Sequence, residues 1–488
     1  MLPSNLTFIK EQLDSLESKM LAEVDKRSFL LKTLHPEQFH SARNLIHYLT
    51  LRKEEIRPLQ NELHTLGLSS LASAESHIRR QIQAIQERIG MEYSPEQLEV
   101  CTYDFSKTIL ANKNIQLFGP KPGLDEPYIM VTFDVSFAEN LDLIKNLLKK
   151  GMNVCRINCA HDDEKTWSKM ILNLKKACQK TGLDCKIYMD LAGPKIRTQI
   201  LNKGKDKGKV KIKLGQLIWL AYESGGFEKE DVVISPNEPG IIPFLKIGER
   251  VFIDDGIILG FVEKIKKGVA GIRITRISSS KSHIKKGKGI NFPDTHLSIP
   301  SLTDYDKKCL PFICSQADLI GYSFVRTPED ITELHKLLQI QSQQPPKLIL
   351  KIETHEAVKN LPHLLLEGMQ QAAFGVMIAR GDLAVEIGFE RTGEIQEEIL
   401  WICEAAHTPV VWATQVLESL NKSGMATRSE ITDAGQAAQA ECVMINKGEY
   451  TLEVLEAFRN IFHRSMAHKT KKRFIFRPLG IAAKFIDS

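Results

Sequence analysis

The feature that most constrains the fold is an alternation of eight short apolar runs with amphipathic segments, which begins near residue 128. Near-continuous apolar strands that alternate with helices are typical of a parallel sheet covered on both faces. Eight such units close into a (β/α)₈ TIM barrel, whose chemistry lies at the carboxyl ends of the strands. The runs are YIMVTFD, MNVCRINCAH, DCKIYMDLAG, ADLIGYSFV, PKLILKIE, AFGVMIARGD, TPVVWATQ and ECVMIN.

The connection after the third predicted strand is much longer than the others and extends from Thr198 to Ala317. Within it, residues 209–292 are rich in β-branched and apolar residues and are punctuated by glycine, which is the pattern of an all-β unit. We therefore expect a small β-barrel domain, inserted after strand 3, that acts as a lid over the mouth of the barrel.

The first 90 residues have a helical periodicity instead. Ile9, Leu13, Leu16 and Met20 are spaced by four, three and four residues and form one apolar stripe, and a similar stripe ends at Gly90. We expect an α-helical N-terminal extension that packs against the barrel, with a contact in a homo-oligomer as the alternative. The predicted domains are the extension at 1–125, the α/β barrel at 126–198 and 293–465, the inserted lid at 199–292 and a basic tail at 466–488.

Composition excludes several classes of protein. A hydrophobic fraction of 43% and a charged fraction of 26% are ordinary for a soluble globular chain, and no apolar run is long enough to span a membrane. The N-terminus lacks the pattern of a secretion signal, and the nine cysteines show no zinc spacing, which favours a cytoplasmic protein. The net charge of +5 is modest and its clusters lack interleaved aromatic residues, so we predict neither a nucleic-acid nor a membrane partner.

Polar residues follow five of the predicted strands, where a barrel carries its chemistry. Glu353 and Asp382 follow adjacent strands and can hold one hard divalent cation, with water and substrate oxygens as further ligands. Arg156, Arg197 and Lys351 can surround a dianionic phosphoryl group. Thr414 offers a hydroxyl that can relay a proton through water. This arrangement predicts a metal-dependent enzyme that handles a small phosphorylated acid.

An ordered set of motifs over residues 128–465 resembles the signature of the pyruvate kinase family. The motifs are GMNVCRINCAH, DLAGPKIRT, IDDG, KKGKGINFP, LKIETHEAV, IARGDLAVEI, ATQVLES and TRSEITDA. The resemblance implies a glycolytic enzyme that transfers the phosphoryl group of phosphoenolpyruvate to ADP, giving pyruvate and ATP, with Mg²⁺ or Mn²⁺ as cofactor. The motifs stop before the family's C-terminal effector domain, so we expect a divergent member without that domain.

The resemblance also implies roles for single residues on the substrate side. The metal ligands of the family match Glu353 and Asp382, and the lysine that stabilises the transferring phosphoryl group matches Lys351. The arginine that binds the substrate phosphate matches Arg156, and the threonine near the enolate methylene matches Thr414. The substrate carboxylate would be held by backbone amides of Ala379, Arg380, Gly381 and Asp382.

On the nucleotide side, the resemblance implies binding by Arg197, Asn158 and His161. Asp255 and Lys288 match residues of the lid that close over the nucleotide. The first strand ends in VTFDVS, which departs from the family pattern and adds the carboxylate of Asp134 near a phosphate site. Two alternatives therefore remain open: a related barrel enzyme with altered enolate or phosphoenolpyruvate chemistry, and a non-catalytic interaction module.

The resemblance further implies a changed monovalent-cation site. Asn158 and Asp190 match two of the residues that bind K⁺ in the family, whereas Ala160 and Leu191 stand in place of a serine and a threonine. Lys195 stands where the family has a glutamate, and a lysine there accompanies potassium independence in the family. Its fixed ammonium can supply the positive charge of the ion. We therefore expect that K⁺ is not required.

Overall fold

The structure, a computed structural model, describes residues 2–121, 126–203, 205–266, 268–278, 282–297, 299–470 and 473–474. The domain boundary expected at residue 125 and most of the tail expected at 466–488 lie outside these ranges. None of the described helices is long and apolar enough to cross a membrane.

Residues 2–118 form the helical N-terminal extension. Its apolar stripes face the core as predicted, since Ile9, Leu13 and Met20 are fully buried. The second stripe ends as predicted, because Gly90 adopts a left-handed φ of 90° just past the helix. The helices are α1 (Leu2–Lys26), α2 (Ser28–Leu31), α3 (Phe39–Lys53), α4 (Arg57–Thr65), α5 (Ile78–Arg88) and α6 (Tyr103–Phe118).

The first three barrel strands alternate with two capped helices. The side chains of Asn140 and Asp163 accept hydrogen bonds from Leu143 N and Thr166 N and so start the two helices. A 3₁₀ turn separates the first strand from its helix, which begins at Leu141. The elements are β1 (Tyr128–Thr132), α7 (Leu141–Lys149), β2 (Val154–Asn158), α8 (Glu164–Thr181) and β3 (Lys186–Asp190).

The inserted segment is built of strands and has its own apolar core. Its strands are β4 (Thr198–Ile200), β5 (Lys209–Lys211), β6 (Leu217–Ala221), β7 (Val233–Pro236), β8 (Arg250–Ile253), β9 (Ile258–Lys266), β10 (Val269–Ile277), β11 (His283–Lys285) and β12 (Ile290–Asn291). Seven of them form a sheet in the order β12-β8-β9-β10-β6-β7-β4, and β11 pairs with β5. A bridge between Arg197 and Gly289 joins the two edges of the larger sheet.

The rest of the chain returns to the barrel. Its elements are α9 (Asp304–Gln316), β13 (Leu319–Tyr322), α10 (Pro328–Gln341), β14 (Lys347–Ile352), α11 (His355–Gly368), β15 (Gly375–Ala379), α12 (Arg380–Ile387), α13 (Thr392–Ala405), β16 (Val410–Ala413), α14 (Glu418–Ser423), α15 (Arg428–Ala437), β17 (Cys442–Ile445), α16 (Thr451–Met466), β18 (Lys469–Thr470) and β19 (Arg473–Phe474). A closed parallel barrel runs in the order β1-β17-β16-β15-β14-β13-β3-β2. The prediction of an α/β barrel with eight strands is confirmed.

The N-terminal extension packs against the amino end of this barrel. Leu117 and Phe118 of α6 belong to the same buried cluster as barrel residues such as Tyr128 and Met130. In addition, His35 N donates to Met369 O over 2.9 Å, and the side-chain amide of Asn44 donates to Ala405 O over 2.8 Å. The amino end is therefore covered by helices, and the carboxyl end carries the predicted site.

Candidate active site

The carboxyl ends of six neighbouring strands form the candidate site. Strands β2, β3, β13, β14, β15 and β16 follow one another around the barrel. Because parallel strands end at one rim, polar residues far apart in sequence lie together there. In order around the rim, these residues are Arg156, Asp190, Ser323, Lys351, Glu353, Asp382 and Thr414.

A buried carboxylate, Asp190, holds two of the predicted cations. Its Oδ2 accepts from Arg156 Nη2 over 2.6 Å and from Arg156 Nε over 3.1 Å. Its Oδ1 lies 3.3 Å from Lys351 Nζ. Burial would raise the pKa of Asp190, but Lys351 and Arg156 outweigh burial and lower the pKa below its ordinary value. The carboxylate thus stays ionised and presents both cations to the same rim.

Lys351 is also held by the neighbouring strand and by Glu353. Its Nζ donates to Ser323 Oγ over 2.7 Å and lies 3.1 Å from Glu353 Oε1. Burial alone would lower the pKa of Lys351, yet Asp190 and Glu353 raise it above the ordinary value. The ammonium group is therefore charged and oriented by three groups: Asp190 at the end of β3, Ser323 just after β13 and Glu353 just after β14.

Glu353 and Asp382 are the two carboxylates predicted to hold a divalent cation. Glu353 is buried, and its Oε2 accepts from Phe324 N over 2.7 Å. Burial raises the pKa of Glu353, Lys351 opposes that rise, and the negative charge of Asp382 adds to it. A divalent cation between two carboxylates would relieve this repulsion. The described residues hold no cluster of three or more potential ligands, so water or substrate would supply the remaining oxygens.

Lys195 lies on the same carboxylate. Its Nζ is 2.9 Å from Asp382 Oδ1 and 3.7 Å from Asp255 Oδ1. Burial lowers the pKa of Lys195, but Asp382 outweighs burial and the pKa rises. Among the described residues Lys195 makes no ion pair with Asp190, so its charge acts at the divalent-cation side of the site.

Thr414 lies in a strained turn after β16, with φ of 65°. Non-glycine residues in this conformation cluster at functional sites because the surrounding fold must hold them there. The Oγ1 of Thr414 is buried and has no hydrogen-bond partner among the described residues. The hydroxyl is thus available to a bound molecule or to water.

The helix α12 begins at the rim, with Ala379 preceding it and Arg380, Gly381 and Asp382 in its first turn. First-turn amides have no partner within a helix and attract anions. The Arg380 guanidinium, by contrast, is committed to the fold. It pairs with Asp433, donates from Nε to Ala413 O over 3.0 Å, and lies 4.8 Å from the centroid of the Trp412 ring.

The residues predicted for the nucleotide are divided between two places. Asn158 and His161 line a cavity of about 230 Å³ together with Arg156, Asp134 and Lys447. The Asp134 carboxylate accepts hydrogen bonds from Ser136 N and Oγ, over 3.0 and 2.6 Å. Burial and the nearby cations lower the pKa of His161, so the imidazole is neutral near pH 7.

The remaining nucleotide candidates lie in the inserted domain or directly before its first strand, β4. Arg197 Nη1 donates to Gly287 O over 3.1 Å, and Lys288 Nζ lies 2.8 Å from Asp254 Oδ1. They do not line the cavity of Asn158 and His161. Of the predicted nucleotide residues, Asn158 and His161 therefore line this cavity, whereas Arg197, Asp255 and Lys288 do not.

Three residues of this network were not predicted from the sequence: Thr132, Tyr188 and Ser323. Thr132 Oγ1 accepts from Arg156 Nη1 over 3.0 Å, and the hydroxyl of Tyr188 donates to Asp190 Oδ1 over 3.0 Å. The predicted site residues follow strands two, three, five, six and seven, and none of them lies in the SFVR segment at the end of the fourth strand. Its position at a strand end was the available signal for Ser323.

The fold is a parallel eight-stranded barrel with an inserted β domain, and its carboxyl rim carries a buried Arg–Asp–Lys–Glu network. Together these features define a class of barrel proteins suited to an anionic substrate and a hard cation. The family model described as "Pyruvate kinase, barrel domain" matches residues 113–454. The chain belongs to the pyruvate kinase family.

Individual relatives agree with this assignment. A pyruvate kinase from Bacillus licheniformis is 32% identical over 346 residues, which are 69% of this chain and 57% of the relative. One from Geobacillus stearothermophilus is 31% identical over 67% of this chain and 55% of the relative. Pyruvate kinase 2 of Trypanosoma brucei brucei is 30% identical over 72% of this chain and 69% of the relative. The chain thus spans somewhat more than half the length of the two bacterial relatives.

Proposed function

We propose that the protein transfers the phosphoryl group of phosphoenolpyruvate to ADP and forms pyruvate and ATP. The observation that carries this proposal is the shared network in which Asp190 and Glu353 hold Arg156 and Lys351 at one rim. Phosphoryl transfer needs charge neutralisation and positioning more than covalent chemistry, and two oriented cations supply both.

The proposal assigns a role to each group at the rim. Arg156 and Lys351 bind the phosphoryl oxygens and stabilise the charge that develops on them during transfer. The first-turn amides of α12 hold the substrate carboxylate. Thr414 delivers a proton, through water, to the carbon that becomes the methyl group of pyruvate.

Glu353 and Asp382 would hold Mg²⁺ or Mn²⁺, which supplies charge stabilisation to the phosphoryl and enolate oxygens when bound. The raised pKa of Glu353, caused by burial and by the neighbouring Asp382, supports a cation at this point. The acceptor would lie toward the cavity of Asn158 and His161, with Arg197, Asp255 and Lys288 added when the inserted domain closes.

We also propose that K⁺ is not required. The carboxylate of Asp190 is already paired with Arg156 and Lys351, and Lys195 neutralises Asp382.

All nine cysteines are free, which supports a reducing compartment and hence a cytoplasmic enzyme.

The test is pyruvate formation from phosphoenolpyruvate, ADP and Mg²⁺, followed beside Lys351→Met. We expect turnover by the wild type and a loss of about a thousandfold in the variant, because the main cation on the transferred group is removed. Lys336→Met is the matched control, since Lys336 is an exposed lysine on α10. A wild type without turnover, with Mn²⁺ and with other diphosphates as well, would contradict the proposal.

A further inference from the structure

The orientation of Asp190 determines where the two cations of the site point. Arg156 approaches Oδ2 and Lys351 approaches Oδ1, so a rotation of this carboxylate would displace both. Side-chain partners of Asp190 other than these cations therefore matter for the geometry of the site. In the described part of the chain, the remaining hydrogen bond to the carboxylate comes from the hydroxyl of Tyr188, over 3.0 Å to Oδ1.

Tyr188 occupies the barrel interior two residues before Asp190 on the same strand, so both side chains point to the same face of β3. The ring is fully buried. Burial, and then the charge of Asp190, raise the pKa of Tyr188 well above its ordinary value. The hydroxyl therefore stays protonated and acts as the hydrogen-bond donor to the carboxylate.

Gly321 provides the space in which this hydrogen bond forms. It pairs with Asp190 across β13 and β3. A Cβ on Gly321 would lie 1.9 Å from the Tyr188 hydroxyl oxygen and 2.4 Å from Asp190 Oδ1. No other residue fits there without displacing the hydroxyl or the carboxylate, so the contact depends on the pair Tyr188 and Gly321.

We infer that Tyr188, in the space left by Gly321, is a positioning residue for phosphoryl binding: its hydroxyl holds Asp190 in the orientation that directs Arg156 and Lys351 to the substrate. Without the hydroxyl, Oδ1 keeps Lys351 as its partner, and the lysine is drawn toward Asp190 and away from the phosphoryl group. The kinetic consequences of this inference rest on the proposed function. The inference also predicts a change in phosphate affinity, which can be measured without turnover.

The decisive variant is Tyr188→Phe, which removes one oxygen and keeps the volume of the ring. We expect kcat with phosphoenolpyruvate to fall at least about tenfold, because a positioned donor behind the cations is lost. The KM for ADP should change less than kcat, since the nucleotide candidates make no side-chain hydrogen bond with Asp190 or Tyr188 in the described part of the chain. The dissociation constant of inorganic phosphate, measured by titration calorimetry with Mg²⁺, should rise about tenfold in parallel.

Tyr322→Phe is the matched control. Tyr322 is an equally buried tyrosine on β13, and its hydroxyl has no hydrogen-bond partner among the described residues. Its removal should leave kcat and phosphate binding unchanged. The melting temperatures of both variants, measured alongside, show whether either substitution acts by loss of fold.

The outcomes separate the two levels of argument. If the wild type turns over and Tyr188→Phe has the same kcat and the same phosphate affinity, the positioning role is overturned and the proposed function stays intact. If the wild type shows no turnover, the proposed function fails, and phosphate affinity alone decides the role of Tyr188. Equal phosphate affinity in wild type and variant would then refute it.

Discussion

Lys195 illustrates how one residue changes the electrostatics of the site. Its ammonium contacts the Asp382 carboxylate, whereas the carboxylate of Asp190 is satisfied by Arg156 and Lys351. A mobile monovalent ion would find both carboxylates already paired. A fixed cation of this kind also needs no binding of an ion from solution, although Lys195 and a divalent cation would both contact Asp382.

At this scale we predict that wild-type turnover is the same, within about twofold, in K⁺ and in tetramethylammonium at equal ionic strength. Lys195→Gln should lose about tenfold in rate, because Asp382 is left without its paired charge in a partly buried site. Initial rates in both salts check this. A strong dependence of the wild type on K⁺ would contradict the assignment of Lys195.

At the scale of elements, the inserted domain meets the barrel through β12 and α12. Asn291 donates from Nδ2 to Glu386 Oε1 over 3.1 Å, and Gly256 lies close to the ring of Phe389. Beside this contact is a cavity of about 500 Å³ whose wall includes Lys195 and Glu386. Burial, and then the charges of Asp382 and Asp294, raise the pKa of Glu386 to about 7, against the opposing hydrogen bond from Asn291.

This pKa predicts a pH dependence of stability. The unfolded chain ionises the Glu386 carboxyl near its ordinary pKa of 4.5 and the folded protein near 7, so the folded state binds the extra proton between these values. The free energy of unfolding therefore decreases as pH rises from about 4.5 to about 7. Urea unfolding at several pH values without divalent cations should show this decrease in the wild type and a smaller one in Glu386→Gln.

The control for this comparison is Glu390→Gln, since Glu390 is exposed a short distance along the chain. Its stability should follow the wild type across the pH range. Parallel curves for Glu386→Gln and the wild type would show that this carboxyl does not carry the effect.

At the scale of the whole molecule, the helical extension and the barrel share one hydrophobic core. Leu13 and Leu45 of the extension belong to the same buried cluster as Leu364 and Trp412 of the barrel. Phe118 lies under the barrel, 5.2 Å from Tyr128 between ring centroids. A shared core of this kind favours cooperative unfolding of both parts.

We predict that Phe118→Ala destabilises the protein by about 3–5 kcal/mol, because truncation of a buried aromatic residue leaves a cavity. Far-UV circular dichroism and tryptophan fluorescence should report one common, shifted transition. Phe29→Ala should be neutral, since Phe29 is 82% exposed. Separate transitions for the two probes would mean that the extension unfolds independently of the barrel.

Much of the architecture followed from local pattern. The eight apolar runs became the eight barrel strands, because a strand covered on both faces is apolar along most of its length. The glycine-punctuated β segment became a separate β unit with its own core. The sequence pattern gives no sign of the 3₁₀ turn that separates β1 from the helix beginning at Leu141.

Candidate residues could also be predicted from the sequence, because the end of a strand can be located along the chain without knowledge of the fold. The fold class and the family could therefore be predicted from the sequence, and so could the position of the candidate residues at the strand ends. The pairing of the charges, by contrast, becomes visible in the folded structure. The Asp190 carboxylate interacts with Arg156, Lys351 and Tyr188, and Lys195 forms an ion pair with Asp382. Such pairings depend on barrel closure and on the room left by residues such as Gly321, which no spacing along the chain encodes.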